Sequence, residues 1–148
     1  MRQAVLALAA GALLPLAFAP FDFWPFALVS VALWFHLLDR NPRHGMLLGW
    51  LYGVGKYAVG VSWVYVSIHE YGNAPPWLAG MLVALFVAGL ALFTMANGWL
   101  FVRITSARSG RGAGAAVRAA WFVVLFVGFE WLLTWFLSGF QFTHGEAG

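Results

Sequence analysis

The chain contains no cysteine. Disulfides, thiolate metal sites and a thiol nucleophile are therefore excluded from residues 1–148. Charge is scarce too: charged residues make up 9% of the sequence, against about 25% in an ordinary soluble domain. His36, His44, His69 and His144 fall in separate segments, so no metal-ligand spacing exists and no cofactor is expected. The glycines sit inside apolar runs, which excludes a phosphate-binding glycine loop. The formal net charge is +3, yet the arginines lie in short loops without a stacking platform. That pattern sets membrane topology and argues against nucleic-acid binding.

Apolar sequence is what the chain has in quantity: 63% of its residues are hydrophobic and its mean hydropathy is +0.83. Five apolar runs cover 4–19, 26–38, 45–67, 77–102 and 119–139. A transmembrane helix needs about 20 apolar residues, so the expected fold is all-α, a polytopic transmembrane helix bundle of about five spans. The first run also has the features of a signal peptide: a basic start, an apolar core and Ala17-Phe18-Ala19 at its end. Pro20 directly after that site argues against cleavage. No internal repeat is evident.

The loops alternate in charge. Arg40 and Arg43 occupy one loop, and Arg103, Arg108, Arg111 and Arg118 another. The loops around Asp22 and around His69-Glu70 hold no Lys or Arg. The positive-inside rule then places the N-terminus in the cytoplasm and the C-terminus outside. The Gly-, Ser-, Ala- and Arg-rich stretch 106–116 reads as a flexible cytoplasmic loop.

Two charges lie inside apolar runs. Lys56 stands eleven residues after Gly45 and Glu130 eleven residues after Ala119, in runs that cross in the same direction. At about 1.5 Å per residue both reach similar depth near the bilayer midplane. An isolated charge there costs upward of about 2.5 kcal/mol. Either the two meet and tie the third and fifth helices together, or Lys56 snorkels and Glu130 is protonated or bonded to backbone. Gly49, Gly53, Gly55 and Gly60 line the third run, with Gly49 and Gly53 in the small-xxx-small spacing of close helix packing.

The outer end of that run reads Ser62-Trp63-Val64-Tyr65-Val66-Ser67-Ile68-His69-Glu70-Tyr71-Gly72, followed by Trp77. Trp63, Tyr65, Tyr71 and Trp77 form an aromatic belt at the interface. A belt does not account for Ser62, Ser67, His69 and Glu70, which suit lipid headgroups or a partner chain. His69 has no second catalytic group identifiable beside it, so it is a weak candidate base.

Three segments together resemble the apolipoprotein N-acyltransferase family. Leu16 to Pro25 resembles its opening hairpin, and Ser62 to His69 with Tyr71-Gly72 resembles its third-helix signature. Glu130-Trp131-Leu132 with Trp135 and Ser138-Gly139-Phe140 resembles its E-x-L-R-x-W…TGFPW segment. The resemblance covers about residues 12–140 and implies a place in the bacterial inner membrane. It implies acyl transfer from a phospholipid donor to the N-terminal diacylglyceryl-Cys of an apolipoprotein acceptor. The chemistry would belong to a nitrilase-like outer domain with a Glu-Lys-Cys triad, in which Cys carries the acyl group as a thioester.

Two departures stand out. Leu133 occupies the position of the family's Arg, which leaves Glu130 without its usual cation and favours Lys56 as the replacement. Resemblance also fades after Phe140. Residues 1–140 are read as the family's membrane region and 141–148 as a divergent tail from a frameshift or truncation. With no cysteine and no nitrilase-like domain in sight, no catalytic residue maps onto this chain, which is expected to be inactive alone. The competing readings are a small non-catalytic membrane protein that binds a partner or lipid, and half of a dimeric transporter. The latter would want several intramembrane ionisable groups.

Overall fold

The computed structural model describes residues 1–17, 24–62, 65, 75–108 and 114–138. These form five α-helices and one short 3-10 turn, with no β-strand among the described residues. Helix α1 is Arg2–Leu16, α2 is Pro25–Arg40, the turn is Pro42–His44 and α3 is Gly45–Gly60. Helix α4 is Pro76–Arg108 and α5 is Ala115–Ser138.

Local chemistry sets several of these ends. Pro25 opens α2 at its first position, where a missing N–H costs nothing. The side-chain amide of Asn41 donates to the Leu37 carbonyl at 3.0 Å and closes α2. Pro15 lies in the last turn of α1, and the helix stops one residue later. Helix α3 is shorter than its apolar run: it ends at Gly60, where the Val61 N–H donates to the Tyr57 carbonyl at 2.9 Å.

Among the described residues, α4 and α5 are the helices that are by themselves long and apolar enough to cross a membrane. Helices α1, α2 and α3 have 15, 16 and 16 residues, below the length of a self-sufficient span. They close on one another and on α4 instead. Contacts along the helices show an alternating up-and-down order. Gly11 of α1 lies beside Tyr52 and Lys56 of α3, and Pro15 farther along α1 lies beside Gly60 farther along α3, so these two run parallel. Gly45 meets Gly98 and Gly53 meets Ala91, so α3 and α4 run antiparallel. Arg118, at the start of α5, pairs with Asp39 at the end of α2 with Nε–Oδ1 of 2.7 Å. Arg40, Arg43, Arg103 and Arg118 thus share one end of the bundle.

The core lies where all five helices converge. Trp34 stacks on Tyr52 with ring centroids 4.4 Å apart and meets Phe122 edge-on at 5.2 Å. Ala7, Ala10, Leu38, Leu48 and Phe101 fill the space around them. Ser30 is fully buried and donates to the Ala10 carbonyl. Its hydroxyl proton is thereby used, so Tyr52 must be the donor in the 2.9 Å bond between the two hydroxyls. One serine ties three helices. The bundle's outside is apolar: Val123, Val124, Val127, Trp131 and Trp135 of α5 are all exposed. Such a surface suits lipid and not water.

Helix α3 approaches its neighbours at backbone distance. A methyl group on Gly49 would stand 2.5 Å from the Thr94 carbonyl oxygen, whereas one on Gly128 would meet nothing within 4 Å. Gly49→Ala is therefore expected to destabilise the bundle by about 1–3 kcal/mol through overpacking. Gly128→Ala is expected to be neutral or stabilising by up to ~1 kcal/mol through helix propensity. Unfolding midpoints of the two variants in detergent check this.

Candidate functional site

Lys56 is the only lysine in the chain. It projects from α3 one turn beyond Tyr52, and its ammonium donates to a Glu130 carboxylate oxygen on α5. The ammonium also lies 5.0 Å from the Tyr57 ring centre and 5.9 Å from that of Phe126. A carboxylate and two aromatic faces thus surround the cation, which is the arrangement a charge needs away from water. The lysine side chain is 11% exposed and the glutamate 37%, so the carboxylate is the more open partner.

That opening leads into a cavity of about 970 Å³. Leu14 and Pro15 of α1 and Gly60 and Val61 at the end of α3 form part of its wall. Leu82, Val83, Phe86 and Leu90 of α4 and Phe126 and Leu137 of α5 complete it. Lys56, Tyr57 and Glu130 are its polar members. The Tyr57 hydroxyl is buried and has no hydrogen-bond partner. An orphaned buried hydroxyl costs about 1–3 kcal/mol. The volume falls at the upper end of ligand pockets, roughly 300–1,000 Å³, and the lining is of the same kind, apolar with few polar groups. The cavity occupies the half of the bundle opposite the arginine-bearing end. Chemically it can hold an apolar chain and offer one hydroxyl and one carboxylate oxygen to a polar group. It contains no thiol.

Of the residues singled out from sequence, the structure brings Lys56 and Glu130 together. Tyr65 lies beside Gly80, near the start of α4, and Trp77 is exposed in the first turn of that helix. Trp63, Ser67, His69, Glu70 and Tyr71 lie outside the described residues, as does the segment 141–148. Among the described residues no three His, Cys, Asp or Glu side chains gather as metal ligands would. Sequence reasoning passed over Ser30, Tyr52 and Tyr57. The signal was available: Ser30 is the lone hydroxyl in the apolar part of α2, and Tyr52 and Tyr57 flank Lys56 at i−4 and i+1.

Comparison with known proteins bears on all of this. The model of the apolipoprotein N-acyltransferase N-terminal domain matches residues 10–145, running past residue 140 into the segment read as divergent. The apolipoprotein N-acyltransferase of Pseudomonas syringae pv. tomato is 44% identical over 141 residues, which cover 95% of this chain and 27% of that protein. The Azotobacter vinelandii protein of the same name is 45% identical with the same coverage. That of Coxiella burnetii is 44% identical over 88% of this chain and 28% of its own length. The chain thus spans about 27% of the length of these curated relatives, at their N-terminal end. On a match of this extent, the chain belongs to the apolipoprotein N-acyltransferase family and corresponds to that family's N-terminal domain.

Proposed function

We propose that residues 1–148 are the membrane part of an enzyme that moves an acyl chain from a phospholipid to the N-terminal diacylglyceryl-Cys of a lipoprotein. The observation that carries this reading is 44% identity over 95% of the chain to an apolipoprotein N-acyltransferase. The cavity beside Lys56 and Glu130 supports it, because an apolar space within a helix bundle suits lipid. The acyl-carrying thiol that the family resemblance implies must lie outside residues 1–148, which hold no cysteine. In this reading the five helices all cross the bacterial inner membrane. The arginine-bearing end faces the cytoplasm, following the positive-inside rule, and the cavity lies in the outer half. The segment around Trp63, Ser67, His69, Glu70, Tyr71 and Trp77 then faces lipid headgroups or the catalytic domain. The Lys56–Glu130 pair serves as the structural tie that holds α5 to α3.

Three outcomes are expected. Residues 1–148 joined to the remainder of a relative restore growth of a strain depleted of its own acyltransferase, whereas residues 1–148 alone do not. Rescue by the isolated segment would refute the placement of the thiol, and failure of a stably inserted chimera would refute the assignment. Secondly, Lys56→Ala leaves Glu130 uncompensated and lowers stability by roughly 2–4 kcal/mol, less than a fully buried pair because the carboxylate is partly open. The reciprocal change Lys56→Glu with Glu130→Lys recovers most of that loss in detergent unfolding. Thirdly, alkaline phosphatase fused after residue 138 is active, and inserted at residue 111 it is inactive.

A further inference from the structure

The arginine-bearing end holds a second, smaller cavity of about 220 Å³. Arg43 and Pro42 border it from the 3-10 turn, Gly45 and Met46 from the first turn of α3, and Trp99, Val102 and Arg103 from α4. The Arg103 guanidinium stands 5.2 Å from the Trp99 ring centre. Two cations therefore border one small space.

Two acids, Asp39 and Glu130, lie among the described residues. Asp39 is engaged by Arg118 and Glu130 by Lys56. Arg43 and Arg103 consequently have no carboxylate partner among the described residues. The positive-inside rule accounts for arginines at this end but does not require two of them to share a cavity. The rest of the lining sets the depth. Trp99 and Met46 are exposed apolar side chains. The apolar stretch of α4 gives way to charge between Val102 and Arg103. This is the level at which tryptophan sits between hydrocarbon and headgroups. A guanidinium fork matches phosphate oxygens in geometry and charge. Basic pockets between transmembrane helices are a known way of holding anionic headgroups.

We infer that the pocket formed by Arg43, Trp99 and Arg103 binds the phosphodiester of an anionic phospholipid in the leaflet at this end of the bundle. The guanidinium groups take the phosphate oxygens. Trp99, Met46 and Val102 take the glyceryl backbone and first methylenes. The site lies at the opposite end from the cavity beside Lys56 and does not depend on the acyl-transfer reading.

The test uses the full chain in nanodiscs of phosphatidylcholine and phosphatidylglycerol, with lipid retention read by native mass spectrometry. The unaltered chain is expected to retain phosphatidylglycerol selectively. Each of Arg43→Gln and Arg103→Gln should weaken retention about twentyfold, and the double variant several hundredfold, since each removes a charge-assisted contact to the phosphate. Arg40→Gln removes the same charge from the same end without touching the pocket, and should weaken retention by no more than about fivefold, the general attraction of one surface arginine. Both arginines are exposed, so the variants should keep the unfolding midpoint of the unaltered chain; single variants serve where the double variant does not. Undiminished retention in the double variant overturns the inference. So does an equal loss in Arg40→Gln, which would mean general charge attraction, or displacement of the lipid by millimolar inorganic phosphate, which would mean a free-anion site.

Discussion

The close approach of α3 to α1 and α4 is the constraint on which the other contacts depend. A Cβ on Gly55 would meet the backbone of Leu8 and Ala12, and one on Gly53 would meet Ala91 and Thr94. Helices come this near only where side chains are absent. Both flanks of α3 are thereby taken. Its remaining faces carry the side chains that do more than pack: Tyr52 stacks on Trp34 of α2, and Lys56 reaches Glu130 of α5. Adding a side chain at the glycines would move α3 outward and separate both pairs, although neither involves a glycine.

A second rule follows from the absence of water in such an interior: each polar group must find its partner within the protein. Ser30 satisfies it by linking α1, α2 and α3, and Thr94 by donating to the Ala91 carbonyl at 2.9 Å. Lys56 and Glu130 satisfy it across the bundle. Trp34 Nε1, Tyr57 Oη and Asn97 Oδ1 do not. Two of these three lie in packed surroundings, whereas Tyr57 borders the large cavity. An unmet hydroxyl beside open space is the feature that separates this cavity from a simple packing gap.

The sequence made some of this legible and hid the rest for physical reasons. Hydrophobic runs revealed the helices because burying backbone in lipid demands them. The charges at equal depth made the Lys56–Glu130 contact a readable possibility, because few isolated charges are tolerated there. Residues 45–67 read as one apolar run around Lys56, yet α3 ends at Gly60, since hydropathy does not register where a helix ends. Ser30 and Tyr52 escaped notice because their importance lies in a three-helix contact that no single run contains. Sequence spacing marked Gly49 and Gly53 as packing positions, but not that α4 would be their partner. The cavity was invisible for a related reason: it is bounded by four helices.

The cavity itself can be traced to how α5 is attached. Near the arginine-bearing end, α5 is held by Phe122 in the aromatic core and by Arg118 on Asp39. Farther along, its inward contacts with α3 and α4 include Glu130, Leu133 and Phe136. Glu130 meets Lys56, Leu133 joins the cluster of Tyr57, Val87 and Leu90, and the Phe136 ring lies 5.7 Å from that of Phe93. The helix is thus tied to α3 by a long lysine side chain instead of by glycine-to-backbone contact. A lysine holds its partner at arm's length, and the space left beyond it is the cavity. If small residues replaced the pair, α5 could approach α3 as closely as α4 does, and the opening would shrink. The ion pair therefore does two things at once: it neutralises two charges within an apolar interior, and it sets the width of the space beside them.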